Sequence, residues 1–155
     1  MKQKSLSLTR LRSLLLLVCV MLGVSAWGET VTYTLTISAS DFNTTSYAAN
    51  NNEKTSYAVC TTNNSKTYQV LWTSYQVMKS GDNMQWQKSK GYLYNSTDLG
   101  TIKSVTVNST SGSFTTYYGT SEHPTSGTTV GNGYFTVAVG GATGSTSSIV
   151  VVFEK

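Results

Sequence analysis

Thr30-Val31-Thr32-Tyr33-Thr34-Leu35-Thr36-Ile37 alternates without a fault, with Val31, Tyr33, Leu35 and Ile37 on one side and threonines on the other. A period of two with Thr outward marks a half-buried β-strand, because successive side chains of an extended chain point to opposite faces. The same reading extends along the chain. Tyr57 to Thr62 and Thr67 to Met78 are expected as strands separated by the turn Asn63-Asn64-Ser65, with a second turn at Gly81-Asp82-Asn83. Met84 to Lys88 and Gly91 to Asn95 follow as short strands, and Thr101 to Asn108 alternates with Val105 and Val107 on one face. Ser113 to Tyr118 sets Phe114, Thr116 and Tyr118 against Thr115 and Tyr117. Tyr134 to Val139 and Ser148 to Phe153 complete the series, joined by Gly140-Gly141-Ala142-Thr143-Gly144. Ser38 to Ser56 reads as a long polar loop with a helical turn near Ser40 to Asn43, and Gly119 to Gly133 as a loop carrying His123 and Pro124. The run Ile149-Val150-Val151-Val152-Phe153 is expected to be covered on both faces. Eight or nine short strands with frequent turn signals and no long helix predict an all-β fold, an antiparallel β-sandwich.

Lys2, Lys4, Arg10 and Arg12 precede an apolar run from Leu14 to Val24, with the small residues Ala26 and Gly28 on either side of Trp27. This is the layout of a secretory signal peptide. Its apolar run is too short to span a bilayer, which needs about 20 residues. We therefore expect a signal peptide over 1–28, a single domain over 29–155 with no membrane span, and a secreted or cell-surface location. The 11 basic and 7 acidic residues give a formal charge of +4. With the leader removed, the basic residues fall to seven, level with the carboxylates, and no arginine remains. That balance excludes nucleic acid as a partner, because binding to phosphates requires a basic surface. Cys19 lies within the leader and leaves Cys60 alone, so no intrachain disulfide is expected in the domain. About a third of residues 29–155 are Ser or Thr, and all ten tyrosines fall there. So many aromatic and β-branched residues, with no net charge, mark a folded chain rather than a disordered one.

Two stretches carry a resemblance. Met84-Gln85-Trp86-Gln87-Lys88-Ser89-Lys90-Gly91-Tyr92-Leu93-Tyr94-Asn95, then Leu99-Gly100-Thr101-Ile102-Lys103-Ser104-Val105-Thr106-Val107, resembles accessory β-sandwich modules of secreted bacterial proteins. Tyr117-Tyr118-Gly119-Thr120-Ser121 and the closing run Ile149 to Phe153 continue the likeness. The resemblance implies a jelly-roll-like fold and an exported location, and it brings no catalytic residue with it.

The search for chemistry narrows the function. His123 is the only histidine, so a two-histidine metal site cannot be built. No Gly-x-Ser-x-Gly elbow accompanies it, and it reads as a solvated loop residue. Cys60 sits in the apolar-leaning Tyr57-Ala58-Val59-Cys60-Thr61 and reads as a small core residue. Asp82 and Asp98 occupy turns that their own side chains can cap, and sequence singles out no carboxylate pair of the kind a glycosidase uses. Asp41 with Glu53, or Asp98 with Asn95, could offer oxygens to calcium, but no Asp-x-Asp-x-Asp-Gly loop occurs, and no cofactor is expected. Aromatic residues are the one class in surplus. Trp86, Lys88, Tyr92 and Tyr94, with Tyr117, offer the mixture of rings and polar groups on which saccharides stack, although Trp86 beside Met84 can equally be core. The expectation is a non-catalytic binding module for a polysaccharide or surface glycan. The alternative is a structural or adhesive protein that recognises other protein chains, or itself, through its sheet edges.

Overall fold

The threonine-lined alternation forms strand β1 (Thr32–Ser38), with Tyr33, Leu35 and Ile37 buried and the threonines exposed. The computed structural model describes residues 30–62 and 66–155; the expected leader, Cys19 and the Asn63-Asn64-Ser65 turn lie outside the described residues. Nine further strands follow: β2 (Lys54–Thr61), β3 (Thr67–Tyr75), β4 (Val77–Ser80), β5 (Asn83–Trp86), β6 (Tyr92–Asn95), β7 (Thr101–Ser111), β8 (Phe114–Gly119), β9 (Tyr134–Val139) and β10 (Gly144–Glu154). All their pairings are antiparallel, and they build two five-stranded sheets. The fold is the expected all-β sandwich.

β10 organises the first sheet. Its residues Ser148 to Glu154 pair with β1 along one edge while the same edge continues through Gly144 to Thr146 onto β5, which pairs in turn with β4. β7 runs along the opposite edge of β10. The second sheet has the order β2-β3-β6-β9-β8. Between them lies one core, to which the first sheet gives Leu35, Ile37, Met84, Trp86, Ile149, Val151 and Phe153. The second gives Val70, Trp72, Leu93, Phe135 and Val137. The apolar run of β10 was expected to be covered on both faces. Instead it alternates, with Ile149, Val151 and Phe153 buried and Val150 and Val152 half-buried on the other face between β1 and β7.

Ten strands rather than nine arise at one place. The expected strand Thr67 to Met78 breaks at Gln76, where the chain leaves the second sheet as β3 and enters the first as β4. Gln76 has φ +53°. Its buried amide donates to Asn51 Oδ1 at 2.8 Å and to the Tyr47 carbonyl at 3.4 Å, and its own carbonyl accepts Gln87 N–H at 3.0 Å. Neither Gly nor Pro marks the corner; bonds from distant residues hold it. The loop after β1 opens on a 3-10 turn at Ala39–Asp41, whose Asp41 Oδ2 accepts Ser38 N–H at 2.7 Å.

A glycine at the return into β7 is fixed by space as well as by conformation. Gly100 has φ +76°, and a Cβ there would stand 2.6 Å from the carbonyl oxygen of Glu154. The left-handed conformation alone costs a side chain about 1–2 kcal/mol, and the contact lies against backbone that must shift. Gly100→Ala is expected to destabilise by about 2 kcal/mol or more. The urea midpoint checks this, and a loss below about 0.5 kcal/mol would mean that the β7 and β10 ends are not held as described.

Candidate functional site

The outer face of the second sheet is where the chain gathers its tyrosines. In β6, Leu93 points into the core, so its neighbours Tyr92 and Tyr94 point out. Register then sets their company. Tyr92 lies between Tyr75 of β3 and Ala138 of β9, while Tyr94 lies between Thr73 and Thr136, and Thr136 faces Tyr117 of β8. The rings of Tyr75 and Tyr92 stack at 5.2 Å, and those of Tyr92 and Tyr94 at 6.2 Å. Beside them Thr55, Thr73 and Ser96 share a chain of hydroxyl hydrogen bonds at 2.9 and 3.1 Å.

Two distant residues complete the group. Glu53, immediately before β2, accepts hydrogen bonds from Tyr92 Oη at 2.7 Å and from Tyr94 Oη at 3.1 Å. Burial raises both phenols above their ordinary range, and for Tyr92 the Glu53 hydrogen bond and charge add to it. Both therefore stay protonated donors to the carboxylate. His123 lies across the pair, its ring 4.6 Å from Tyr92 and 4.3 Å from Tyr94, nearly parallel to the latter at 7°. It was expected as a solvated loop residue; stacking on two rings makes it half-buried. Its backbone has φ +55°, uncommon away from glycine and found where surrounding structure imposes it. The imposing contacts are near: Pro124 packs so closely on Gly119 that a Cβ there would meet the ring at 2.8 Å, and Tyr118 N–H bonds to the Gly127 carbonyl at 2.9 Å.

The expected ligand contacts divide between the sheets. Trp86 is fully buried and faces the core with Met84, its Nε1 donating to Thr146 Oγ1 at 2.9 Å and its ring meeting the edge of Phe114 at 5.3 Å. It is therefore the core tryptophan of the first sheet and offers no surface to a ligand. The reason is topological: between Trp86 and Tyr92 the chain crosses from one sheet to the other. Lys88 is exposed in the turn that makes this crossing. Tyr92, Tyr94 and Tyr117 share the outer face, Tyr117 half-buried and separated from Tyr94 by Thr136.

Glu53, His123 and Tyr75 were not anticipated here: strand register brings Glu53 and Tyr75 to the group, and the loop between β8 and β9 brings His123. Asn95 and Asp98, weighed above as oxygen donors, are engaged with the backbone. Asn95 bonds to Thr97, Gly133 and Phe135, and Asp98 Oδ1 accepts Gly100 N–H at 2.8 Å. Cys60 is buried, and burial pushes its thiol up to about 11, so at neutral pH it is a protonated core residue. Among the described residues, no cluster of three or more His, Cys, Asp and Glu side chains could hold a metal ion, and no helix is long and apolar enough to cross a membrane. Comparison with known proteins finds no matching family model, no similar curated protein and no similar solved structure.

Proposed function

We propose that this chain is an exported, non-catalytic binding module for a glycan or another surface polymer, and that the polymer lies along the outer face of the second sheet. The observation that carries this reading is the stacked run Tyr75, Tyr92, Tyr94. Rings already held by their neighbours lose little freedom when a ligand arrives, and the C–H faces of sugars pack on aromatic surface. The hydroxyl row of Thr55, Thr73 and Ser96 borders those rings. His123 stacks on both Tyr92 and Tyr94, so the sugar-facing part is the half-buried Tyr75, backed by Tyr92, together with Tyr57, which is 65% exposed on the same face of the sheet. The test is binding of the purified protein to a broad polysaccharide array. Tyr57→Ala and Tyr75→Ala are each expected to weaken binding about tenfold while leaving the unfolding curve near that of the parent. Silence of the unsubstituted protein across the array would overturn the reading.

A second reading has its own observation. Tyr57, Val59 (58% exposed) and Leu71 (42% exposed) make an apolar strip on β2, a terminal strand of its sheet, and on its neighbour β3. Such a strip suits a structural or adhesive protein that recognises other protein chains, or further copies of itself, at a sheet edge. Sedimentation over a hundredfold range of concentration checks the self-association: a constant monomer mass removes it.

A further inference from the structure

The contact between His123 and the tyrosines is unlike the others that hold this face. Its ring lies 4.6 Å from that of Tyr92 and 4.3 Å from that of Tyr94. Among the described residues no hydrogen bond or ion pair engages the imidazole, and neither nitrogen is an orphan buried from water. Stacking alone therefore fixes the ring, while its polar edge meets solvent. The tyrosines are held from elsewhere. Glu53 takes one phenol hydrogen bond on each carboxylate oxygen, and Tyr75 stacks on Tyr92. Both rings thus keep their places without the imidazole. The loop does not depend on it either, since Pro124 packs on Gly119 and Tyr118 N–H bonds to the Gly127 carbonyl. Ser121, Glu122 and Thr125 around it are exposed, so the side chain has room on the solvent side.

We infer that Tyr92 and Tyr94 form a second ring subsite of the tyrosine face, and that the His123 imidazole occupies it until a sugar ring of the bound polymer displaces it. The choice of a sugar rests on the reading proposed above. The exchange is one flat face for another: the apolar C–H face of a pyranose replaces the imidazole on the same two rings, and its hydroxyls reach the water that the imidazole nitrogens met. The imidazole leaves by rotation of its side chain, with the backbone staying as the loop holds it. No hydrogen bond is broken, so only the stacking is given up. Tyr57 and Tyr75 form the open end of the face, and a ligand must extend beyond them to meet His123. Apparent affinity for such a ligand falls with the fraction of molecules whose subsite stands open. His123 is thus an internal competitor, felt only by chains long enough to reach it.

The sequence holds a single histidine, so one imidazole Hε1 proton resonance reports the exchange. In the purified protein it should lie upfield of its position in urea, shifted by the two tyrosine rings. It should move back towards that position on saturation with soluble fragments of a polysaccharide that the array selects. On the array, His123→Ala and His123→Asn, the latter tolerant of the same backbone, should bind that polysaccharide about five- to tenfold more tightly than the parent. Their unfolding curves should stay near that of the parent. Adding Tyr94→Leu to His123→Asn should cancel the gain, because the subsite is then gone. Binding by the parent with equal or weaker binding by both histidine variants would overturn the inference and leave the tyrosine face standing as a binding surface. So would a resonance that stays upfield at saturation. Silence of parent and variants alike would remove the polymer reading and the subsite together.

Discussion

Trp86→Ala is expected to destabilise the protein by about 3–5 kcal/mol, the range for truncating a large buried aromatic side chain. The substitution leaves a void where the indole met Phe114, and it deprives the buried Thr146 hydroxyl of its donor. Both consequences fall on the first sheet at the point where β5 joins β10. The urea midpoint should fall with the slope unchanged, and Trp86→Phe, which restores most of the volume but not the hydrogen bond, should lose roughly half as much. A loss below about 1 kcal/mol for the alanine variant would contradict the buried position. One practical point follows for binding work: a Trp86 variant that fails to bind reports on folding, whereas Tyr57 and Tyr75 variants report on a surface.

Asn95→Ala is expected to be nearly as damaging, at about 3–4 kcal/mol. The side chain is fully buried, donates to the carbonyls of Thr97 and Gly133 at 2.8 Å each, and accepts Phe135 N–H at 2.6 Å. Alanine leaves those backbone groups without partners in a place that water reaches poorly. Asn95→Asp tests the same site differently. The new carboxyl faces two carbonyl oxygens in a buried position, so its folded-state pKa must lie above its unfolded value. A raised pKa disfavours the folded state once the group ionises, so this variant should regain stability as pH falls towards 4 and lose it as pH rises towards 8. Unfolding at the two pH values checks the sign, and the opposite trend would rule out the carbonyl contacts. Protection of the Phe135 amide against hydrogen exchange should drop in Asn95→Ala, whereas Asn95→Asp keeps the oxygen that accepts it.

These residues show what the sequence could disclose. The alternation of β1 was legible because the whole signal is local: one face meets the core and the other meets water, so apolar residues and threonines simply take turns. Parity likewise placed Trp86 beside Met84, and the core alternative weighed for it is the one found. The grouping of Trp86 with Tyr92 and Tyr94 was not legible, because five intervening residues carry the chain from one sheet to the other. The break at Gln76 was hidden for a related reason. A glutamine with positive φ announces nothing in a strand-like run, since its conformation is held by Asn51 and Tyr47 from across the fold. The tyrosine face was half visible. Tyr92, Tyr94 and Tyr117 could be proposed from aromatic surplus, whereas Glu53 and His123 come to them only through strand register and a loop. An isolated histidine in a Ser/Thr-rich loop carries no local mark of the rings it will meet.

The pairing of β1 with β10 also sets a schedule. Val31 and Lys155 exchange both backbone hydrogen bonds at 3.0 Å, so the earliest and latest strands of the domain lie side by side, while β7 and β5 await the same partner. During synthesis the first sheet has no central strand until the other nine have been made. Contacts this distant along the chain are slow to form, and the unfinished sheet exposes apolar edges in the meantime. Loss of the last dozen residues should therefore abolish folding rather than trim it. Joining residue 155 to residue 31 by a short linker, and opening the chain within the 120–133 loop, should instead preserve the sandwich while letting β10 emerge early and fold with its neighbours as they appear.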